Sequence, residues 1–404
     1  MNTETENTIN IKPSDKLLNL PKYIFAELNE WKDEARANGI DLIDLSIGNP
    51  DGETPKPVVE AALKSIVKPE SHGYPSFRGK IEFRKAIADW MKRRYNVTVD
   101  PVDEIQTLIG EKEGLANVAM AFTNPGDINI VPDPYYPVLS RGTWIASGKT
   151  FHIQLKKENG FLPDLDEIPE DIARKAKIFF INYPNNPTAA IAPIEFLEKL
   201  VDFCRKYSIL LVSDMAYGEV VFDKYRPNSI FEIEGARDVA VEFHSFSKTF
   251  NMAGWRAGFA VGKKEFIDVI YGMKSNIDYG TSTLVQDAAI EALTMPYEYV
   301  QEIMDKYDAR RELIARRLTK LGWDVYRTPA TMYFWLKIPG WKSKNMTSKK
   351  WCKMVLDKTG IVFTPGVAFG DMSDDHFRFS IVQPSHRLDE AFDRMEKEGI
   401  VYED

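Results

Sequence analysis

The fold class is decided by residues 177–214, which read KIFFINYPNNPTAAIAPIEFLEKLVDFCRKYSILLVSD. The apolar runs at 177–182 and 209–214 are rich in branched and aromatic residues and do not alternate with polar ones, which is typical of strands covered on both faces. Between them, apolar side chains recur at helical spacing and predict a helix over 194–207. These side chains are Phe196, Leu197, Leu200, Val201 and Cys204. Strands that alternate with helices indicate an α/β fold with a mostly parallel sheet.

The same alternation extends along the chain in both directions. Apolar runs predict further strands at 128–131, 239–244 and 256–261, so we place a large domain at residues 51–290. The elements predicted outside it are helices at 23–38, 297–321 and 388–397 and strands at 42–47, 332–338 and 376–382. Residues 1–50 and 291–404 are therefore expected to build a smaller α+β domain from both chain ends.

The composition excludes several classes of protein. The chain has 404 residues, is 44% hydrophobic and carries a formal net charge of −8, so it has no general attraction to nucleic acid or to an anionic membrane surface. Its two cysteines, Cys204 and Cys352, lie far apart, which rules out a disulfide scaffold. The first residues are polar, and no apolar run reaches the roughly 20 residues that span a bilayer. We expect a soluble, cytoplasmic protein that binds neither nucleic acid nor membrane.

The most informative short segment is residues 245–256, SFSKTFNMAGWR. It follows a predicted strand and places Lys248 between small hydroxyl residues. Burial lowers the pKa of a lysine amine, which can then form an imine with a carbonyl compound. Ser245, Ser247 and Arg256 could hold a dianionic phosphate group through charge-assisted hydrogen bonds. Taken alone, the segment is equally compatible with an exposed loop after a strand.

This segment resembles the cofactor-lysine motif of the class I and II aminotransferases, which are fold-type I pyridoxal-phosphate enzymes. Further motifs of that family follow in the family's order. The resemblance implies a large domain with a mostly parallel seven-stranded sheet between helices, plus a smaller α+β domain. It also implies that pyridoxal 5′-phosphate is held as a Schiff base on Lys248 and that Ser245, Ser247 and Arg256 bind its phosphate.

Two further motifs lie at predicted strand ends. In residues 182–188, NYPNNPT, the resemblance implies that Asn186 donates to the phenolic oxygen of the cofactor and contacts the substrate. A plain Asn-Pro turn is the alternative. Asp214 ends the strand at 209–214, and the resemblance implies that it keeps the pyridine nitrogen protonated, so that the ring accepts electrons. The alternative for Asp214 is a helix N-cap. Tyr217 is expected to hydrogen-bond the phenolic oxygen and to complete a catalytic set with Lys248 and Asp214.

Residues 110–114, GEKEG, resemble the phosphate loop of the family, in which backbone N–H groups at a helix N-terminus face the phosphate. The resemblance assigns Gly110, Glu111 and Lys112 to the cofactor site, with Lys112 also near the substrate. The family usually has Ser or Ala where Glu111 stands. A carboxylate close to a phosphate is unfavourable, so we expect the Glu111 side chain to point away and only its backbone to contribute.

The remaining site residues come from three more motifs. In residues 132–137, PDPYYP, the resemblance implies that Tyr136 stacks on the pyridine ring, although an aromatic residue in a core loop is the commoner structure. Arg378 lies between two phenylalanines, and an arginine there is costly unless it meets an anion. The resemblance implies that Arg378 binds the substrate α-carboxylate, while the backbone at Gly48 closes over it. The alternative role for Arg378 is an ion pair with a buried Asp or Glu.

Three tyrosines extend the resemblance to the oligomer. Tyr74 resembles the tyrosine that reaches the phosphate of the neighbouring subunit. Tyr279 lies at a position from which the family also contributes a residue across the subunit interface. These positions imply a homodimer with composite active sites. Tyr23 resembles the substrate contact of the N-terminal arm.

The resemblance implies transfer of an amino group between an L-amino acid and a 2-oxo acid, with Lys248 moving the proton and ping-pong kinetics. Stretches at 22–25, 48–52, 278–281 and 331–335 resemble bacterial alanine aminotransferases, so we expect alanine and glutamate with pyruvate and 2-oxoglutarate as substrates. LL-diaminopimelate and aspartate aminotransferases are the alternatives.

Two other functions use the same fold. One is that of the C–S lyases, which would share Lys248, Asp214 and Arg378. The other is that of a regulator with an added basic DNA-binding module of about 60 residues or more. The early start of the predicted domains and the acidic composition disfavour the regulator.

Overall fold

The computed structural model describes residues 11–20, 23–327, 329–340 and 345–403. Its strands are β1 (Ile43–Asp44), β2 (Ile105–Leu108), β3 (Ile128–Asp133), β4 (Lys149–Gln154), β5 (Ala176–Asn182), β6 (Leu210–Asp214), β7 (Ala240–Ser245), β8 (Gly258–Gly262), β9 (Tyr333–Lys337), β10 (Ile361–Val362), β11 (Thr364–Pro365) and β12 (His376–Ser380). Its helices are α1 (Asp15–Leu18), α2 (Ile24–Ala37), α3 (Lys56–Ile66), α4 (Ile81–Tyr95), α5 (Glu111–Phe122), α6 (Val138–Ile145), α7 (Glu170–Ala173), α8 (Ile194–Tyr207), α9 (Phe246–Thr249), α10 (Lys264–Ser275), α11 (Thr283–Thr294), α12 (Glu298–Lys320), α13 (Ser348–Thr359) and α14 (Ser385–Lys397).

A seven-stranded sheet forms the centre of the fold, in the order β2-β8-β7-β6-β5-β3-β4. Strands β3 to β7 pair in parallel, whereas β8 runs antiparallel to both of its neighbours, β7 and β2. Helices pack against the sheet, and its central strands are buried along their length because both faces are covered. The predicted α/β class with a mostly parallel seven-stranded sheet is confirmed.

The helix between β5 and β6 follows directly from its sequence. Leu197, Leu200, Val201 and Cys204 all lie on the buried side of α8, as their spacing predicts. Polar and charged residues occupy its other face. The strand, helix and strand of residues 177–214 therefore fold as their pattern indicates.

Two smaller sheets lie beside the large one, and the first of them joins both chain ends. Strand β1 pairs in parallel with β10, with Ile43 opposite Ile361. Strand β12 lies between β11 and β9 and runs antiparallel to both, with Arg378 opposite Trp335 of β9. These pairings agree with a smaller unit built from both ends, although the boundaries at 50/51 and 290/291 stay a prediction.

The register of the large sheet places several polar side chains at one edge. Asn182, the last residue of β5, lies opposite Asp214, the last residue of β6. Strand β7 ends beside them at Ser245 and leads directly into the short helix that carries Lys248. Carboxyl ends of parallel strands are the usual place for ligand sites in open α/β sheets.

Candidate active site

A cavity of about 330 Å³ opens at this edge of the sheet. Most of the residues that the sequence assigns to the site line it. They are Tyr23, Gly48, Glu111, Lys112, Tyr136, Asn186, Asp214, Tyr217, Ser245, Ser247, Lys248, Arg256 and Arg378. Chain segments from residue 23 to residue 378 therefore converge on one space.

Lys248 is positioned by the turn from β7 into α9. The Ser245 side chain caps this helix by accepting from the Ser247 backbone N–H at 3.3 Å. The Lys248 Nζ donates to the Gly48 backbone carbonyl at 2.5 Å. Burial, together with the positive charges of Arg378 and Arg256, lowers the pKa of the Lys248 amine to about 8. An amine with such a pKa is partly unprotonated at neutral pH and can act as a nucleophile or a base.

Asp214 is held at the end of β6. One carboxylate oxygen accepts from the Ala216 backbone N–H at 3.0 Å, and the Asn182 side chain donates to the Asp214 backbone carbonyl at 3.0 Å. A turn follows rather than a helix, so Asp214 is not the helix N-cap that its sequence also allowed. Burial raises the pKa of Asp214, and hydrogen bonds from Glu111 and the Ala216 N–H oppose that rise.

An anion site lies at the start of α5. Gly110 precedes the helix with φ of +77°, and a Cβ at this position would overlap the Arg256 guanidinium. The first N–H groups of α5 have no partner within the helix and can bind an anion. Arg256 itself has φ of +58°, which is uncommon for a residue with a side chain and is typical of functional positions. The serine hydroxyls of the Lys248 segment lie in the same cavity.

The Glu111 side chain differs from the expectation that only its backbone contributes. Its carboxyl is buried, lines the same cavity as Asp214 and interacts with the Asp214 carboxyl. Burial and the Asp214 charge raise the pKa of Glu111 well above its usual range. A neutral carboxyl group is not repelled by an anion, which removes the reason for expecting it to point out of the site.

Asn186 and Tyr217 complete the part of the cavity that faces the small sheets. The Asn186 side-chain oxygen accepts from Arg378 at 2.8 Å, which leaves its NH₂ group available to a ligand. The Tyr217 hydroxyl hydrogen-bonds the Tyr333 hydroxyl at 2.8 Å. Burial raises the pKa of Tyr217 and of Tyr136, so both phenols stay protonated donors at neutral pH.

Arg378 lies in the interior and has no acidic partner within the described ranges. It is 3% exposed, donates to Asn186 and to the Ser46 backbone carbonyl, and lies over the rings of Tyr333 and Phe369. Its Nε makes no hydrogen bond, and no carboxylate of the described ranges pairs with it. A buried Asp or Glu partner was the alternative for this arginine, and the described contacts do not support it. A buried cation with a free donor suits an anionic ligand.

Gly48 packs closely against Tyr333, a residue to which the sequence analysis assigns no role. A Cβ on Gly48 would overlap the Tyr333 hydroxyl, so only glycine allows the loop to lie here. Tyr333 is in the stretch 331–335 that was compared with the family, but its contact with Tyr217 could not be read from sequence. Asn182, which supports Asp214, was likewise missed.

Two cations lie close to the ring of Tyr23, which lines the cavity. The Tyr23 ring lies 5.3 Å from the Lys112 Nζ and 5.2 Å from the Arg141 guanidinium carbon. Burial lowers the pKa of Lys112, as does the positive charge of Arg141. Arg141 lies on α6 and carries no motif that sequence analysis could have recognised. Lys22, the first residue of the compared stretch 22–25, lies outside the described residues.

Tyr74 and Tyr279 are the predicted site residues that lie apart from the cavity. Their rings stack at 4.4 Å, and Tyr74 is 84% exposed while Tyr279 is 52% exposed. They were assigned to a subunit interface, and that assignment stays a prediction. Gly110 does not line the cavity either and contributes through the backbone turn.

The described residues provide neither a metal site nor a membrane-spanning helix. No group of three or more His, Cys, Asp or Glu side chains in them is arranged to hold a metal ion. None of the helices in the described ranges combines the length and the apolar composition needed to cross a membrane.

Comparison with known proteins gives consistent matches over nearly the whole chain. Residues 40–395 match the sequence model of the family described as Aminotransferase class I and II. An LL-diaminopimelate aminotransferase of Aquifex aeolicus is 50% identical over 382 residues, which cover 95% of this chain and 98% of the relative. That of Halothermothrix orenii is 44% identical over 389 residues, covering 96% and 99%. The solved structure of apo-BacF from Bacillus subtilis is similar with a TM-score of 0.93 and 36% identity, covering 98% of this chain and 100% of that one.

Proposed function

The chain belongs to the class I and II aminotransferases, and on this premise we propose that it moves an amino group from LL-diaminopimelate to a 2-oxo acid with pyridoxal 5′-phosphate as cofactor. The observation that carries the choice of donor is the 50% identity, along almost the full chain, to a relative with that name. The comparisons favour this donor over the alanine and glutamate pair that the sequence stretches suggested.

The cavity suits the proposed cofactor. It holds an amine of lowered pKa on Lys248, a buried carboxyl on Asp214, and an anion site made of Arg256 and the start of α5. In this arrangement Lys248 would bind the aldehyde, Asp214 would face the ring nitrogen, and Arg256 with Ser245 and Ser247 would hold the phosphate. Tyr136, Asn186 and Tyr217 would contact the ring.

When bound, the cofactor supplies a ring that accepts the electron pair left on the substrate Cα after proton removal. The protein residues then have distinct tasks. Lys248 would take the proton from the substrate Cα and hold it on its amine for return, as its lowered pKa allows. Arg378 fixes the α-carboxylate, so that the Cα–H bond is aimed at the Lys248 amine. The Tyr217 hydroxyl, which is oriented by its contact with Tyr333, would donate a hydrogen bond to the phenolic oxygen of the cofactor.

The charge at the mouth of the cavity supports a donor with two carboxylates. Diaminopimelate carries a second amino-acid group, with its own carboxylate, at its far end. When that carboxylate enters a site it loses its water, and a cation of the protein has to replace the lost hydration. Lys112 and Arg141 both lie close to the Tyr23 ring and supply two positive charges there. Alanine has only a methyl group at this point and would gain nothing from these charges.

A direct comparison of donors tests the proposal. We expect kcat/KM for transfer from LL-diaminopimelate to 2-oxoglutarate to exceed that from alanine by about 100-fold or more, because a charged end group is recognised far better than a methyl group. Aspartate serves as the donor with a second carboxylate at shorter reach. An enzyme that prefers alanine, with little transfer from LL-diaminopimelate, contradicts the proposal.

A charge variant tests the recognition itself. Lys112→Gln should raise KM for LL-diaminopimelate by about 10-fold, since an interaction with a charged group is lost, and should change the weak alanine reaction much less. Lys149→Gln, an exposed lysine of the edge strand β4, is the matched control and should leave both reactions unchanged. Equal losses for both donors would show that Lys112 acts on something common to them, such as the cofactor.

A further inference from the structure

Two buried carboxyl groups meet in the cavity, one from Glu111 at the first residue of α5 and one from Asp214 at the last residue of β6. They are 5% and 3% exposed, they line the same cavity, and each shifts the pKa of the other as a hydrogen-bond partner. Ionised carboxylates have only acceptor oxygens, so a hydrogen bond between two of them requires a proton on one. The pair therefore holds at least one proton.

The surroundings of the two groups are unequal. Asp214 accepts from the Ala216 backbone N–H, which favours its ionised form. In contrast, the buried Glu111 Oε1 accepts no hydrogen bond from an N–H or hydroxyl group of the described residues. An ionised carboxylate in that position would leave a charged oxygen unsatisfied, at a high cost in free energy. The proton therefore belongs on Glu111.

The other charged groups around the pair do not reverse this order. Lys248 of α9 and Glu242 of β7 face Glu111 with opposite charges, and their effects on it partly cancel. His244 of β7 faces Asp214 and favours its ionised form. Burial is the largest influence on Glu111 and favours the neutral acid.

We propose that Glu111 is a positioning residue whose protonated carboxyl donates to Asp214, so that the pair carries one negative charge, located on Asp214. This inference rests on the proposed function in one respect, namely that Asp214 faces the ring nitrogen of the cofactor. The hydrogen bond keeps Asp214 oriented and ionised, and an ionised Asp214 is what a protonated ring nitrogen requires. Glu111 thus acts on the cofactor through Asp214.

Two variants of similar size separate the proposal from its alternative. Glu111→Gln keeps a hydrogen-bond donor towards Asp214, whereas Glu111→Met keeps the volume and removes the donor. The readout is the affinity of the apoprotein for pyridoxal 5′-phosphate between pH 4 and 9, in which protonation of Asp214 weakens binding on the acidic side. This binding measurement needs no amino donor, so it stands even if LL-diaminopimelate is not the substrate.

Glu111→Gln should leave the acidic midpoint where it is in the wild type, and Glu111→Met should move it up by about 1 pH unit, because Asp214 loses a donor to its ionised form. If Glu111 were ionised instead, both variants would remove a like charge and move the midpoint down, which would overturn the proposal. Equal acidic midpoints in the wild type and both variants would also overturn the proposal.

Infrared spectroscopy of the full-length, cofactor-loaded protein gives a second test that does not depend on how Glu111→Met folds. At pH 8 the wild type should show the C=O stretching band of a protonated carboxylic acid, and Glu111→Gln should lack it. Asp133, the other buried acid with a strongly raised pKa, has a pKa of about 6 and is ionised at pH 8, so it does not contribute. A wild-type spectrum identical to that of Glu111→Gln in this region would refute the assignment.

Discussion

At the scale of single residues, the central property is the amine of Lys248. Burial is the main reason that its pKa falls to about 8, and the guanidinium groups of Arg378 and Arg256 add to the effect. About one amine in ten is then unprotonated at pH 7, compared with roughly one in three thousand for an ordinary lysine. The folded chain therefore prepares Lys248 for imine formation before any ligand arrives.

This property predicts the pH dependence of imine formation. The unprotonated amine is the reactive form, so the initial rate at which the apoprotein reacts with pyridoxal 5′-phosphate should rise with pH and level off above a midpoint near 8. Borohydride trapping followed by peptide mass spectrometry measures the rate at Lys248 from pH 6 to 10. Arg378→Gln removes one of the two positive charges and should move the midpoint upward. A midpoint near the ordinary lysine value in the wild type would contradict the prediction.

Individual residues also show how far sequence reasoning reaches. Lys248 and Asp214 lie at or beside strand ends, and the pattern of apolar runs locates strand ends well, whereas Arg378 stands out as a charged residue within an apolar strand. The direction of the Glu111 side chain could not be predicted in this way. It depends on Asp214, about a hundred positions away in the chain, and on a proton that no sequence pattern records.

At the scale of secondary structure, a buried lysine connects the start of α5 to the loop that carries Tyr279. Lys274 of α10 has a fully buried side chain, and its Nζ lies 3.3 Å from Glu113 of α5 and 2.6 Å from Asp278. The same Asp278 oxygen accepts from the Gly280 backbone N–H at 2.6 Å. The start of α5 and the loop that carries Tyr279 are therefore held by one cation.

Removing that cation should be costly. Lys274→Met leaves two acidic groups without their buried partner, so we expect a loss of roughly 3 to 5 kcal/mol in the free energy of unfolding, measured by urea denaturation. Lys264→Met, on the exposed side of the same helix, removes pairs that are about half exposed and should cost less than about 1 kcal/mol. Adding Glu113→Gln to Lys274→Met should recover part of the loss. Equal effects of the two lysine variants would refute the special role of Lys274.

The elements themselves were predicted with uneven success, for a physical reason. Strands β5, β6 and β7 are buried on both faces and appear in the sequence as continuous apolar runs. Strand β4 is an edge strand with polar, partly exposed residues, and its sequence does not distinguish it from a loop. Strand β8 was predicted, but its antiparallel direction depends on the connection from β7 and cannot be read from composition.

At the scale of the whole molecule, the sequence motifs were sufficient for the family and the fold, and both are confirmed. They were insufficient for the substrate. The motifs describe groups that every member needs for the common chemistry, whereas donor choice is proposed to depend on side chains such as Lys112 and Arg141 near Tyr23. The division into domains and the dimer stay predictions.

An exposed aromatic cluster supports the predicted dimer. Tyr74 stacks on Tyr279, which in turn stacks on Phe77 at 5.0 Å, and Ile277 nearby is 54% exposed. Contiguous exposed apolar surface of this kind is typical of protein interfaces. The cluster also adjoins the loop that Lys274 holds, so a second subunit seated here would lie next to the phosphate loop of the first.

A composite site predicts activity from a mixture of two inactive proteins. Lys248→Ala lacks the amine but retains Tyr74, and Tyr74→Ala lacks the tyrosine that is expected to reach the partner's phosphate. In a hybrid dimer, one site combines an intact Lys248 with an intact Tyr74 from the other chain. Unfolding and refolding an equal mixture should therefore restore about a quarter of the sites, because half of the dimers are hybrids and each has one complete site. Lys248→Ala refolded with Tyr299→Ala, a tyrosine exposed elsewhere on α12, controls for non-specific effects of refolding. If Tyr74 served its own chain instead, neither site of a hybrid dimer would be complete, and mixing would restore no activity.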